Sequence, residues 1–393
     1  MMGLKKILAA VGLLSSLITT AQLQLTNESE VSILSIGPGP LLNDAFGHSA
    51  IRIRDPLYNF DVVFDYGRYD FEAEGFYLNF TRGKLDYSIG RTDFENFRAT
   101  YEYQNRSISE QQLNLSNAQK TAFYNFLREN IKPENQSYPY DFFYNNCATK
   151  IKDAIETVVG EPLNYHPPTD FKRLSFRSLI RSDLNQNSWG SLGIDIALGS
   201  VIDQVARIEE HLFLPKNLQL LLENAQISSS NSRLVSATKT LNPTTFVKKS
   251  TGINSPLFVL TLVALFLLWI TYRDHKNKRR TKWVDVSIFG ITGSVGLVLL
   301  LLWFATDHTA TANNYNLLWA FATNLLFIPS ILKTTLKNRG IKYIVFLVIL
   351  LSLMGLHWVT GVQSFAIGLI PLVIAIYIRY LFLIRHFNTA ISL

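Results

Sequence analysis

The chain has 393 residues, enough for two or three domains, yet only 17% are charged, 48% are hydrophobic and a single one is cysteine. Its net charge of +7 does not point to nucleic acid as a partner, because many of the basic residues bracket apolar runs, where they set membrane topology. No phosphate-cradling glycine loop, nucleotide motif or metal-ligand cluster is visible, so neither a cofactor nor a metal is expected.

Residues 1–21 place Lys5 and Lys6 before an apolar run that closes on the small residues Thr19 and Ala21. They read as a secretory signal cleaved after Ala21; an uncleaved anchor is the alternative, disfavoured by the shortness of the run. An exported domain is expected over 22–227. Its first strand, 31–36, ends at the rigid Gly-Pro-Gly-Pro turn of 37–40. In 49–54 and 59–65 the residues Ile51, Ile53, Phe60, Val62 and Phe64 share one side of an alternating pattern, and Asp55-Pro56 starts the turn of a hairpin. Closing that hairpin at Arg54 and Asn59 sets Asp65 opposite His48 on one face. The apolar face that should receive a helix is the other one, so His48 needs a twist or bulge near Gly47 to reach it. Strands are expected over 85–91 and 106–115 with a helix at 94–103 between them, and Ser116 with Gln119 resembles a capping box for a helix ending near residue 130.

The stretch 140–160 carries the lone thiol, Cys147. Ile151, Ala154, Ile155 and Val158 recur at helical spacing and Gly160 marks the stop. Cys147 therefore falls in the first helical turn, capped by Asn145 or Asn146, where unpaired N–H groups and the helix dipole favour a thiolate. A lone cysteine is often only a small buried residue. Export changes that reading, because one thiol in an oxidising compartment has no internal disulfide partner and is a liability unless it has a chemical role. His48 is the only histidine that precedes it and the natural proton acceptor; otherwise it is a turn histidine with one hydrogen bond.

Beyond Gly160, the basic amphipathic stretch 170–184 can rest on anionic headgroups or form a solvated helix face. Helices are expected over 194–213 and 215–225, then a Ser/Thr/Asn-rich linker within 228–255. Five apolar runs fill 256–393, at 256–272, 284–306, 317–332, 343–358 and 365–383. The loops 273–282 and 333–342 are basic, whereas 307–316 and 359–364 carry no lysine or arginine. By the positive-inside rule the exported domain lies outside and the C-terminus inside. His275 and His386 then fall on the cytoplasmic side, and His308 and His357 on the outer one. His308 with Asn314, Asn316 and Trp319 can touch a lipid headgroup or the exported domain, or simply form a polar loop with an aromatic belt.

The stretches GHSAIRI, FDYG, YPYDFFYNNCATKI and NNYNLLW together resemble the Lnb-type membrane-bound lipoprotein N-acyltransferases, which have an N-terminal periplasmic domain. The order of histidine strand and then cysteine helix is more distantly similar to the permuted NlpC-type thiol enzymes. The resemblance implies an α+β papain-like (permuted NlpC-type) exported domain followed by an all-α membrane domain of five transmembrane helices, in a bacterial inner membrane with the catalytic domain in the periplasm. It implies acyl transfer from a glycerolipid ester of the membrane, a phospholipid, to the N-terminal amine of a diacylglyceryl lipoprotein through a Cys thioester. Cys147 becomes the nucleophile and His48 the base and later the acid, while Asp65, Asn146 and Tyr144 compete for the third place. The alternatives are a membrane-tethered NlpC-type cell-wall peptidase or amidase, for which a single span would suffice, and a non-enzymatic envelope-assembly scaffold indifferent to loss of Cys147 or His48.

Overall fold

The computed structural model describes residues 24–70, 72–245 and 252–391, so the expected signal at 1–21 lies outside the described residues. The strands are β1 (Glu30–Ile36), β2 (His48–Asp55), β3 (Phe60–Arg68), β4 (Asp86–Asp93), β5 (Ile108–Leu113), β6 (Ser137–Pro139), β7 (Leu163–Asn164), β8 (Gln226–Ile227) and β9 (Val235–Asn242). The helices of the same region are α1 (Phe76–Arg82), α2 (Phe94–Tyr103), α3 (Asn117–Asn130), α4 (Cys147–Val159), α5 (Phe176–Asp183), α6 (Trp189–Ala197) and α7 (Pro215–Glu223). Seven strands pair antiparallel in the order β6-β4-β3-β2-β1-β5-β9.

Strand alternation gives the sheet two apolar faces. Ile33, Ile51, Ile53, Phe64 and Tyr66 pack against α3, α4 and α7 through Phe123, Leu127, Ile151, Ile155 and Leu218. Leu34, Ile36, Ala50 and Val63 lie under Phe94 and Phe97 of α2. Each such side chain contributes about 1.5–3 kcal/mol on burial, which fixes α4 against β2 and β3. The expected hairpin, the 94–103 helix and the Ser116/Gln119 capping box all form.

The hairpin register differs from the expected one. Asp55 caps the turn through Leu57 N–H at 3.3 Å and Asn59 takes a left-handed φ of 49°, so the first pair is Asp55 with Phe60 rather than Arg54 with Asn59. Continued along the strands, this sets His48 opposite Gly67 and leaves Asp65 as its diagonal neighbour, on the same face because the shift is by two residues.

Three expectations within 170–255 are corrected. The Ser/Thr/Asn-rich segment is not all linker, because 235–242 adds to the sheet as β9, whose alternate polar residues suit an edge strand. Residues 194–213 are not one helix: α6 stops at Ala197, since Gly199 sits against the backbone carbonyl of Ala312, where a Cβ would collide. The stretch 170–184 keeps Lys172, Arg173 and Ser178 exposed, but its basic side is not solvated throughout. In α5, Phe176, Leu179 and Ile180 are buried, and the Arg177 guanidinium, 2% exposed, bonds Asp203 at 3.0 Å, Asp195 at 3.1 Å and the carbonyls of Leu198 and Gly199.

The membrane part has α8 (Pro256–Lys276), α9 (Lys282–Phe304), α10 (Asn324–Ile331), α11 (Asn338–Val359) and α12 (Ile370–Ile391). Among the described residues four helices are long and apolar enough to cross a membrane, α8, α9, α11 and α12. The third apolar run, 317–332, is broken: a short turn at Tyr315–Leu318 precedes the eight-residue α10, which contains Pro329. Polar side chains take up the interrupted stretch, with the Asn324 amide donating to Thr292 Oγ1 at 2.8 Å and accepting from Tyr343 Oη at 2.6 Å. At one end of the bundle, fully buried Arg379 joins Asp285 at 2.7 Å and Asp274 at 2.9 Å, tying α8, α9 and α12 together. At the other end lies the exported domain. Arg181 donates to the carbonyls of Ser364 and Phe365 at 3.3 and 3.0 Å, and Ser364 N–H donates to Asp203 at 3.1 Å.

Candidate active site at the sheet end

Cys147 opens α4, and the sequence around it explains the placement. The Asn146 side chain accepts from Ala148 and Thr149 N–H at 2.9 and 3.0 Å and donates to the carbonyls of Phe142 and Phe213 at 2.8 Å each, so one buried amide caps α4 and holds the preceding loop. Gly160 ends α4 with φ 84°. At the head of the helix the half-buried sulfur faces the His48 imidazole and the backbone N–H groups of Ser49 and Ala148, which act on its ionisation. Among the described residues the N–H of Cys147 itself meets no acceptor.

The apparent conflict of faces is resolved at the end of the sheet. Gly67 has φ 97° beside a register shift between Tyr66 and Arg68, and a Cβ there would stand 3.7 Å from the Cys147 Cβ. Gly67 therefore backs directly on Cys147. The bulge lies in β3 opposite His48, while Gly47, with φ 79°, supplies the turn into β2.

His48 Nε2 lies 3.5 Å from an Asp65 carboxylate oxygen, whose partner oxygen accepts from Arg68 Nε at 2.9 Å and Nη2 at 2.5 Å. Burial alone would lower the His48 pKa, but Tyr101, the Cys147 sulfur and the Asp65 carboxylate outweigh it and hold it well above the ordinary value. Burial pushes the Cys147 thiol up, and the His48 charge and hydrogen bond with the two backbone N–H groups reverse this to a net lowering. Burial likewise opposes ionisation of Asp65, and its bonds to His48 and Arg68 bring it below the usual carboxylate range. These directions favour a thiolate beside an imidazolium steadied by a carboxylate.

The structure brings Cys147, His48 and Asp65 together and leaves the other candidates apart. Asn146 spends its whole amide on backbone groups, and Tyr144, 55% exposed, packs edge-on against Phe176. Asn314 and Asn316 are buried and interlock the outer loop with α6: Asn314 donates to the carbonyls of Ile196 and Ala197, Asn316 to that of Asp195, and Trp319 Nε1 donates to Asn316. His308 Nε2 lies 3.1 Å from the Phe80 carbonyl. Of the alternatives expected for this loop, a lipid headgroup, the exported domain or a plain polar loop, its contacts are with the exported domain. Residues not foreseen are Arg68, beside Asp65, and Tyr101, Tyr138 and Tyr140 around the pair; Burial and the nearby sulfur raise the pKa of Tyr138 and Tyr140. Only Arg68 carried a signal, its place directly after FDYG. Among the described residues no group of three or more His, Cys, Asp or Glu could hold a metal ion.

The site is anchored to the membrane part. Thr309 Oγ1 donates to the Asp141 carboxylate at 2.7 Å, and Asp141 in turn accepts from Phe143 and Tyr144 N–H in the loop leading to Cys147. Fold and site thus define a multi-helix membrane protein whose α+β domain presents a Cys-His-Asp constellation on the outer-loop side of the bundle. Residues 18–177 match the Lnb N-terminal periplasmic domain and residues 248–390 the Lnb transmembrane domain, and the chain belongs to the Lnb family. Membership makes it a membrane enzyme of lipoprotein maturation. Neither the curated proteins nor the solved structures yield a match.

Proposed function

We propose that this protein transfers an acyl chain from a phospholipid of the membrane to the N-terminal amine of a diacylglyceryl lipoprotein through a thioester on Cys147. The observation that carries the reading is the Cys147–His48 pair, steadied by Asp65, on a loop bonded to the membrane part through Asp141 and Thr309. The thiolate attacks the ester carbonyl; the C–S bond forms, the C–O bond breaks, and the His48 imidazolium gives its proton to the departing lysolipid oxygen. The lipoprotein amine then attacks the thioester, the N–C bond forms as the C–S bond breaks, and His48 takes the amine proton, restoring the ion pair. The Cys147 N–H, at the head of a helix, is the donor available to the oxyanion.

Five crossings of an inner membrane belong to the same reading. Arg280 donates to the carbonyls of Ile331 and Lys333 at 2.8 and 3.0 Å, so the two basic loops share one side, while 307–316 and 359–365 meet the exported domain on the other. These contacts support a return of the broken segment between α9 and α11 across the bilayer and a C-terminus in the cytoplasm. The order of histidine strand and cysteine helix supports kinship with permuted papain-like thiol enzymes.

The test is to incubate purified protein with phospholipid carrying a labelled acyl chain, quench in acid and weigh the peptide that contains Cys147. The expected result is a mass gain of one acyl chain on Cys147, hydroxylamine-labile, absent in Cys147→Ser and strongly reduced in His48→Ala. Unchanged N-acylation of lipoproteins in cells lacking the protein would defeat the reading.

A further inference from the structure

Between the bulge in β3 and strand β4 the chain forms α1, a seven-residue helix with no buried residue. Tyr77 is 71%, Leu78 54% and Phe80 48% exposed, a cost that a helix facing only water would not repay. The C-terminal end of α1 is tied to the stretch just past the membrane helix α9. Asp307 N–H donates to the Arg82 carbonyl at 2.8 Å, His308 reaches that of Phe80, and Gly83 is so close to the Asp307–His308 backbone that a Cβ would collide. Helix α9 ends three residues earlier with Trp303 stacked on Phe304, itself 71% exposed, the aromatic pattern of a bilayer boundary. Arg82 and Lys84, at the same end of α1, are exposed cations of the kind that pair with anionic headgroups. From α1 a file of rings runs inward: Phe76 stacks on Tyr69 at 6.2 Å, Tyr69 meets Tyr87 at 5.0 Å, and Tyr87 stacks on Tyr140 at 4.2 Å. Tyr140 packs, with Cys147, on the edge of the same core.

We propose that α1 is an interfacial anchor whose apolar side chains sit in the outer leaflet, and that the file Phe76, Tyr69, Tyr87 and Tyr140 is the wall along which a lipid acyl chain passes from the bilayer to Cys147. The anchor stands on the placement of α1 alone, whereas the path rests on the acyl-transfer reading above. The occupant is lipid rather than a protein partner because α1 is bonded to Asp307 and His308, only three and four residues beyond the aromatic terminus of the membrane helix α9.

Two measurements on the full chain separate the parts. In a Cys147→Ser background, Leu78→Cys and, as a water-exposed reference, Tyr103→Cys carry an NBD fluorophore in vesicles of phosphatidylethanolamine and phosphatidylglycerol doped with doxyl-labelled lipid. Stronger quenching at position 78 than at position 103 supports the anchor. Equal quenching overturns it, as does a fluorophore at 78 shielded only after a lipoprotein is added, which would make α1 a protein-docking site. With Cys147 present, Tyr77→Asp/Leu78→Asp/Phe80→Asp should slow acylation of Cys147 by bilayer lipid about tenfold or more, with Tyr77→Phe/Leu78→Ile/Phe80→Leu restoring it. An acylated wild type with an equally fast Asp variant overturns the path and leaves the function standing. A wild type that takes no acyl chain defeats the acyl-transfer reading and the path with it, and the quenching result still decides the anchor.

Discussion

Asn146 provides the sharpest test of how the thiol is held. Its side chain, in a residue only 3% exposed, makes four hydrogen bonds: two cap α4 and two reach the carbonyls of Phe142 and Phe213. Asn146→Ala removes a helix cap, about 1 kcal/mol, and leaves two carbonyls short of a donor at about 1 kcal/mol each. The total of about 3 kcal/mol corresponds to a fall in Tm of about 6–12 °C for a domain of this size. Asn146→Ser keeps an acceptor for the cap and loses both amide donors, so it should recover about a third of the deficit. Intrinsic fluorescence of the detergent-purified full chain during heating measures both. An Ala variant melting within about 2 °C of the parent would refute the reasoning, and so would a Ser variant less stable than Ala.

Other perturbations act on the ion pair and on the docking of the domains. The thiolate forms as pH rises through the lowered Cys147 pKa, and the imidazolium is lost as pH rises through the raised His48 pKa, so the pair exists between the two. His48→Ala should therefore move the rise of iodoacetamide reactivity at Cys147 to higher pH; a rise at the same pH as in the parent would show that His48 does not stabilise the thiolate. Asp65→Asn removes a group that holds the His48 pKa up, so the alkaline limb of the acylation profile should move to lower pH, and an unmoved limb would detach Asp65 from the site. Gly199→Ala, at ordinary φ, drives a Cβ into the Ala312 carbonyl and should increase proteolysis within 305–316; unchanged digestion would mean that the contact adjusts.

The parts legible in the sequence are those in which one local pattern decides the outcome. Alternation in β2 and β3, the capping box at Ser116 and the Asn146–Gly160 bounds of the cysteine helix are local, and the structure has them where the residues call for them. Asp65 shares the face of His48, as alternation requires, although the register differs by two from the expected one, because strand parity survives such a shift. What failed depends on distant partners. Strand β9 exists because β5 offers it an open edge, and α5 turns Arg177 inward because Asp195 and Asp203 await it. Nothing in the polar look of 314–316 distinguished a substrate loop from an interlock with α6.

That interlock bears on mechanism. Arg177 is buried with two carboxylates, Arg181 bridges Asp195 to the loop before α12, and Asn314 and Asn316 spend their amides on α6 carbonyls. The Arg177 network is internal to the exported domain and sets Asp203 to accept from Ser364 N–H, and with the Arg181, Asn314 and Asn316 bonds that cross to the bundle this holds the domain in one orientation rather than swinging on a tether. A thiol that must find soluble peptides in a wall gains nothing from being held in place, whereas one whose substrates diffuse only in the plane of a bilayer has to stand at a fixed height above it. Arg177→Ala separates these cases: loosening the domain should slow acylation of Cys147 by vesicle lipid far more than its alkylation by a water-soluble reagent. Equal slowing of the two would mean that the network serves only the folding of the domain.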